Sequence, residues 1–288
     1  LLSGLVLIDK PTGMTSHDVV AQLRKKLSEE KIGHAGTLDP FASGLLVMGI
    51  GSGTKLLHFL FGLDKQYLAT IRLGQATTTD DLEGEVLSEA AATSVTIEMI
   101  REQIKNLTGT IQQVPSSVSA IKIDGKRAYD LARAGQEVKI PARSVEVYHF
   151  QPTSELRSVG DFVEFDATVD CSSGTYIRAL ARDLGAALGV GGHLRALRRT
   201  RIGEFSIVDS NPVDQVTHLT PLLEVARKVF PVVELSPSQA QDIIHGKRIT
   251  LPNQGNLAAS FDGKLLAILE PFAKNYRSLT VFPEAFNG

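Results

Sequence analysis

Hydrophobic and polar positions alternate most regularly from Val163 to Cys171, where Val163, Phe165, Ala167, Val169 and Cys171 interleave with Glu164, Asp166, Thr168 and Asp170. A period of two predicts a half-buried strand. The stretch "KQYLATIRLG" beginning at Lys65 alternates in the same way and predicts a second strand with Tyr67 near its start. An apolar run from Gly4 to Ile8 stops at Lys10-Pro11-Thr12-Gly13, a turn signal. Helical spacing follows: Val19, Val20, Leu23 and Leu27 recur on one face, with Ser16 as the expected N-cap and Arg24, Lys25 and Lys26 toward the far end. A short helix is expected from Thr54, and a longer one over Ile97, Ile100, Ile104 and Leu107, closed by Gly109. "SAIKIDGKRAYDLARAG" reads as a strand, an Asp124-Gly125 turn and a short helix ending at Gly135. Ile177, Leu180, Ala181, Leu184 and Leu188 predict a helix after "SSGTY". No βαβ spacing repeats, so the pattern predicts an α+β fold. A boundary is expected near Phe230-Pro231, dividing residues 1–229 from a small β-rich tail, residues 230–288, with strand-like pieces such as "KLLAILE" and "SLTVF".

The 288 residues are 43% hydrophobic and 22% charged, the composition of a soluble globular protein. No apolar run is long enough to cross a bilayer, and Leu1–Ile8 lacks the basic flank and cleavage site of a signal peptide, so a cytoplasmic protein is expected. The single cysteine, Cys171, has no disulfide partner and no neighbour at metal-ligand spacing. A net charge of −2 argues against a nucleic-acid partner, but its distribution changes that picture. Arg178, Arg182, Arg195, Arg198, Arg199 and Arg201 cluster against one acid, Asp183, and Lys122, Lys126, Arg127 and Arg133 form a second basic group. Charge alone leaves two readings open, a positive binding face or ordinary solvated surfaces.

Candidate chemistry concentrates in "GHAGTLDPFASGLL", Gly33 to Leu46. Pro40 biases Asp39 away from helical angles, so this carboxylate lies on a loop, either as a turn residue or as a group presented to a pocket. His34 and Tyr67 have equally ordinary readings, a loop histidine bonded to backbone and a core aromatic. Arg178 falls in the first turns of its helix, where the dipole disfavours a cation, so it requires a nearby anion. Other signals fail. "GIGSGTK" lacks the Gly-Lys order of a phosphate loop, and Asp80, Asp81 and Glu83 have no histidine beside them and read as a solvated turn. No Ser/His/Asp set sits in a nucleophile-elbow context.

"GLVLIDKPTGMTSHDVV", "GHAGTLDPFASGLLVMGIG", "KQYLATIRLGQATTTDDLEG", "QVPSSVSAIKIDGKRAYDLARAG", "CSSGTYIRALARDLG" and "GGHLRALRRTRIG" occur in this order. Together they resemble the bacterial tRNA pseudouridine-55 synthases over most of the first 205 residues or so. The resemblance implies a mixed, largely antiparallel sheet core with flanking helices, the pseudouridine synthase fold, followed by a PUA-like RNA-binding tail. It implies isomerisation of a uridine in the T-loop of tRNA, position 55, with tRNA as the partner, no cofactor, no metal, no membrane and a monomeric enzyme. Asp39 corresponds to the catalytic carboxylate, and Arg178 to the arginine paired with it, which is expected to depress the carboxylate's pKa. His34 resembles the residue that fills the space of the extruded base, and Tyr67 the tyrosine that stacks on the uracil. Tyr176 and Leu197 match pocket-lining positions, and Lys10-Pro11 a structural motif. An insertion over residues 113–143, with Lys122, Lys126, Arg127 and Arg133, resembles an RNA-gripping arm, and Arg195, Arg198 and Arg199 are expected on phosphates. A tRNA-binding folding factor is the alternative from another class. A nucleosidase would want two acids across the bond, and the loop offers one.

Overall fold

The computed structural model describes residues 2–116, 122–123, 126–127, 140–252 and 255–286. The elements that position the site begin with β1 (Gly4–Lys10), α1 (Ser16–Leu27), β2 (Ile32–Ala35), β3 (Ser43–Ile50), α2 (Leu57–Phe61) and β4 (Lys65–Leu73). A hairpin of β5 (Gln75–Thr77) and β6 (Val86–Glu89) precedes α3 (Ile97–Asn106) and β7 (Gly109–Gln113). The short β8 (Lys122–Ile123) and β9 (Lys126–Arg127) pair with each other. Then come β10 (Arg143–Pro152), β11 (Arg157–Val159), β12 (Phe162–Cys171), α4 (Ile177–Ala187), β13 (Gly192–Ile202) and β14 (Phe205–Ser206).

Among the described residues these strands build a ten-stranded sheet whose main path runs β1-β3-β13-β4-β12-β10-β7. Every named pairing in it is antiparallel except β13 with β3, where Arg198 and Arg199 lie beside Ser43 and Gly44. The contact is close enough that a side chain on Gly44, at φ +102°, would strike the backbone of Arg199. The strict alternation of β12 is realised residue by residue: Val163, Phe165, Ala167, Val169 and Cys171 are buried. They pack with the inward face of β4 and with Ile100, Leu180 and Leu184 of α3 and α4 into the largest core cluster. The expected Asp124-Gly125 turn, and the helix ending at Gly135, lie outside the described residues.

The first helix begins one residue earlier in its capping than the sequence suggests. Thr15, not Ser16, is the N-cap, in a capping box with Asp18. Ser16 is buried instead, and its hydroxyl accepts from Leu38 N at 3.0 Å and donates to Leu38 O at 3.3 Å. The helix thereby ties down the loop that carries Asp39.

After α5 (Leu222–Arg227), the tail forms a four-stranded sheet in the order β15 (Val232–Glu234), β16 (Leu257–Phe261), β17 (Lys264–Phe272) and β18 (Asn275–Val281), flanked by α6 (Pro237–Ile244). It shares its core with the rest of the chain. Ala258, Leu265, Ile268 and Phe282 belong to one cluster with Leu5, Leu7, Leu45, Val47 and Phe205. Among the described residues no helix is long and apolar enough to cross a membrane.

Candidate active site

Asp39 stands where the chain leaves β2 and turns into β3. Gly36, at φ +87°, starts the turn, a conformation that an L side chain rarely adopts. Leu38 and Phe41 point into the core on either side, so the loop is anchored and the carboxylate faces out. Its Oδ2 lies 3.0 Å from Arg178 Nε, the anion that the position of Arg178 in α4 required.

Arg178 is almost wholly buried and is shared. Its Nη1 donates to Asp81 Oδ2 at 3.1 Å and to Thr79 O at 2.9 Å. One turn along α4, Arg182 pairs with Asp80 at 3.2 Å. In the acidic turn expected to be solvated, Glu83 is exposed, whereas Asp80 and Asp81 are buried, 7% and 3% exposed. Those two aspartates neutralise the two arginines on one face of a helix about a hundred residues away in sequence, a convergence with no local signal. The unmet anion requirement of Arg178 was the available clue.

Gln113 also escapes sequence reasoning. Fully buried on β7, its side chain accepts from Tyr176 N at 2.8 Å and donates to Tyr176 O at 3.0 Å, fixing the residue that begins α4. The Arg143 guanidinium covers the Tyr176 ring, 4.7 Å from its centroid.

These elements form a cavity of about 340 Å³ lined by Asp39, Tyr67, Tyr176, Arg178, Leu197 and Arg199, six positions singled out in the sequence. A larger cavity, about 690 Å³, is lined in part by side chains of the opposite sheet face, including Leu68, Thr70, Asp166 and Arg198. The smaller one is the candidate site, because it holds the carboxylate with its buried cation. His34 lies outside that lining, on β2, with its ring edge-on to His17 at 5.9 Å. Burial lowers its pKa, so the ring is neutral at pH 7.

Alternation along β13 divides the expected basic cluster. Leu197 and Arg199 lie opposite Ala69 and Tyr67 and face the cavity, whereas Arg198 lies opposite Leu68 on the other face. There Arg198 pairs with Asp9 at 2.7 Å, Arg195 with Glu164 at 3.6 Å and Arg201 with Asp170 at 2.6 Å. Arg199, expected on phosphates, is 1% exposed and donates to Leu45 O at 2.8 Å and Gly36 O at 3.0 Å, so its guanidinium is engaged with the backbone of the Asp39 loop. The side chains of Lys122, Lys126 and Arg127, and all of Arg133, lie outside the described residues.

The electrostatics correct one expectation. Burial raises the Asp39 pKa above its ordinary 3.8, and this outweighs the opposing pull of Arg178. Arg178 divides its charge between two carboxylates, and Asp81 itself pushes Asp39 upward. Burial likewise raises the pKa of Tyr67, leaving its hydroxyl protonated at neutral pH. Lys10 is buried beneath the same loop and donates to Pro11 O at 2.9 Å and Met14 O at 2.7 Å, with its pKa pushed down to about 8 by burial. Among the described residues no group of three or more His, Cys, Asp or Glu side chains could hold a metal. The arrangement offers one carboxylate near an aromatic hydroxyl in an open cavity, suited to a nucleophile or base.

The whole chain resembles solved structures. A Cbf5–Nop10–Gar1 complex contains a chain 26% identical, with a TM-score of 0.69 over 97% of this chain and 84% of that one. An H/ACA RNP bound to a substrate RNA containing 2′-deoxyuridine shares the fold at 24% identity and a TM-score of 0.70, with the same coverage. Residues 24–177 match the model of the TruB family pseudouridylate synthase N-terminal domain. Residues 178–227 match the tRNA pseudouridylate synthase B C-terminal domain, and 230–283 the tRNA pseudouridine synthase II C-terminal model. Fold and site thus define the class as a pseudouridylate synthase, an isomerase. Proteins named tRNA pseudouridine synthase B from Leifsonia xyli and Thermobifida fusca are 50% and 47% identical, each over 98% of this chain and 97% and 99% of theirs. The chain belongs to the TruB family.

Proposed function

We propose that this protein isomerises the uridine at position 55 in the T-loop of tRNA to pseudouridine, with Asp39 as the catalytic carboxylate. The observation that carries the reading is the Asp39–Arg178 pair at 3.0 Å in a cavity that also presents Tyr67 and Leu197. A uridine inside a folded loop is out of reach, so the base must be extruded, at a cost of a few kcal/mol of unstacking. Stacking of the uracil on Tyr67 and insertion of the neutral His34 ring into the gap offset that cost. Asp39 then starts the breaking of the N-glycosidic bond. The uracil turns within the cavity and bonds to the ribose through C5, whose proton leaves while N1 gains one, so atoms balance without a redox partner. Tyr67 is placed to relay a proton, and Tyr176 and Leu197 confine the ring.

On this reading residues 1–229 carry catalysis and residues 230–288 form a PUA-like RNA-binding tail. The insertion at residues 113–143, through Lys122, Lys126, Arg127 and Arg133, grips the RNA backbone. Arg195 and Arg198 contribute phosphate contacts by exchanging their carboxylate partners. The enzyme works as a monomer in the cytoplasm, where tRNA is found. The test is incubation with an unmodified tRNA transcript in EDTA, followed by carbodiimide mapping. Wild type is expected to modify a single T-loop uridine, and Asp39→Asn to bind the transcript and modify none. Tight binding without modification by wild type would instead favour the folding-factor reading.

A further inference from the structure

The largest fully buried side chain in the described structure belongs to Arg199, a cation to which the proposed reaction gives no role. Its guanidinium donates from Nε to Leu45 O at 2.8 Å and from Nη2 to Gly36 O at 3.0 Å, with Nη1 3.5 Å from Thr37 O. These carbonyls lie at the two ends of the Asp39 loop, before it and just inside β3. The planar fork thus holds both ends at a fixed spacing. Across the sheet Arg199 lies directly opposite Tyr67 in the β13–β4 register, and both residues line the cavity that holds Asp39. Gly36 is held by its φ of +87° and not by the fork, since a Cβ there would meet Nη1 at an ordinary contact distance of 3.5 Å.

We propose that Arg199 is a positioning residue that sets the Asp39 loop relative to its strand neighbour Tyr67. The inference rests on the assignment of Asp39 and Tyr67 to pseudouridine formation. It adds that one buried group couples them. Burying an arginine is costly unless its donors are satisfied and its charge is compensated. Here backbone carbonyls satisfy the donors, while the charge acts on Asp39 alongside Arg178 and Lys10 and against Asp81. The effect on the titration of Asp39 needs only the positive charge, whereas holding the two ends of the loop needs the planar fork.

The test compares Arg199→Lys and Arg199→Gln with wild type in single-turnover and steady-state pseudouridine formation across pH. Hydrogen exchange of the peptide covering residues 36–42 is read in parallel. Both variants lack the fork, so kcat is expected to fall on the order of 10²-fold, as small misplacements of reacting groups do, with KM changed less than about threefold. Exchange in that peptide should quicken in both. The acid limb of the rate profile should move to higher pH in Arg199→Gln, which loses the cation, and stay at the wild-type position in Arg199→Lys, which keeps it. A wild-type kcat in Arg199→Lys, or a loss confined to KM, overturns the proposal, and should Arg199→Gln fail to fold, Arg199→Lys alone decides. Absence of pseudouridine from wild type would be a failure of the assigned reaction, whereas loop exchange remains a separate readout of Arg199.

Discussion

Asp39 is held in a state that the isolated side chain would avoid. Burial lifts its pKa above 3.8, while Arg178, Lys10 and Arg199 partly restore the charged form. The native state therefore holds the Asp39 proton more tightly than the unfolded chain does. The stability this group contributes is complete below its unfolded pKa and is lost as pH rises through the folded value. At pH 7 the fold therefore gains less from an ionised Asp39 than from a neutral side chain of the same shape. Asp39→Asn is expected to abolish turnover while leaving the melting temperature at pH 7 equal to or above that of wild type, checked by thermal denaturation beside the carbodiimide assay. The acid limb of kcat/KM in wild type should also lie above the ordinary aspartate value of 3.8. A limb at or below that value would contradict the burial described for the site.

At the scale of elements, two strands and two helices converge on one loop. β2 delivers the loop and β3 receives it, α4 supplies Arg178, and α1 reaches it through Ser16. The Ser16 position is the clearest difference between pattern and structure. A serine at the head of a helical run reads as an N-cap, but Thr15 takes that role and frees the serine for Leu38. Both residue types cap well, so only the helix's rotation relative to the loop separates them. Ser16→Ala leaves Leu38 N–H unpaired in the interior and is expected to destabilise the protein by about 1–3 kcal/mol. Turnover should fall with it, because the loop loses its tie, whereas the cap at Thr15 and the helical circular dichroism signal should persist. Unchanged stability and turnover would show that the loop does not depend on α1.

At the scale of the whole molecule, the tail keeps its own sheet but shares a hydrophobic core with the main one. Phe282 is fully buried in a cluster that also contains Leu5, Val47 and Phe205, and Lys55 lies 5.2 Å from its ring centroid. Phe282→Ala should therefore cost about 3–5 kcal/mol and lower a single cooperative transition in calorimetry. Two separate transitions, with only the lower one shifted, would show that the tail folds alone. Composition and turn signals lead to the expectation of a boundary near Phe230, but they do not show the shared core, since apolar residues in a small sheet do not announce what covers them. The alternation of β4 and β12, the helical stripes, and the motif around Asp39 were determined by the sequence by itself. Each of these depends on the backbone period or on residue types a few positions apart. The tertiary structure decided which charges meet: Arg178 with both Asp39 and Asp81, Arg199 with loop carbonyls instead of phosphate, and Asp39 raised instead of lowered in pKa. Those outcomes follow from burial and from the convergence of residues far apart in sequence, and charge energies depend on both far more steeply than on residue type.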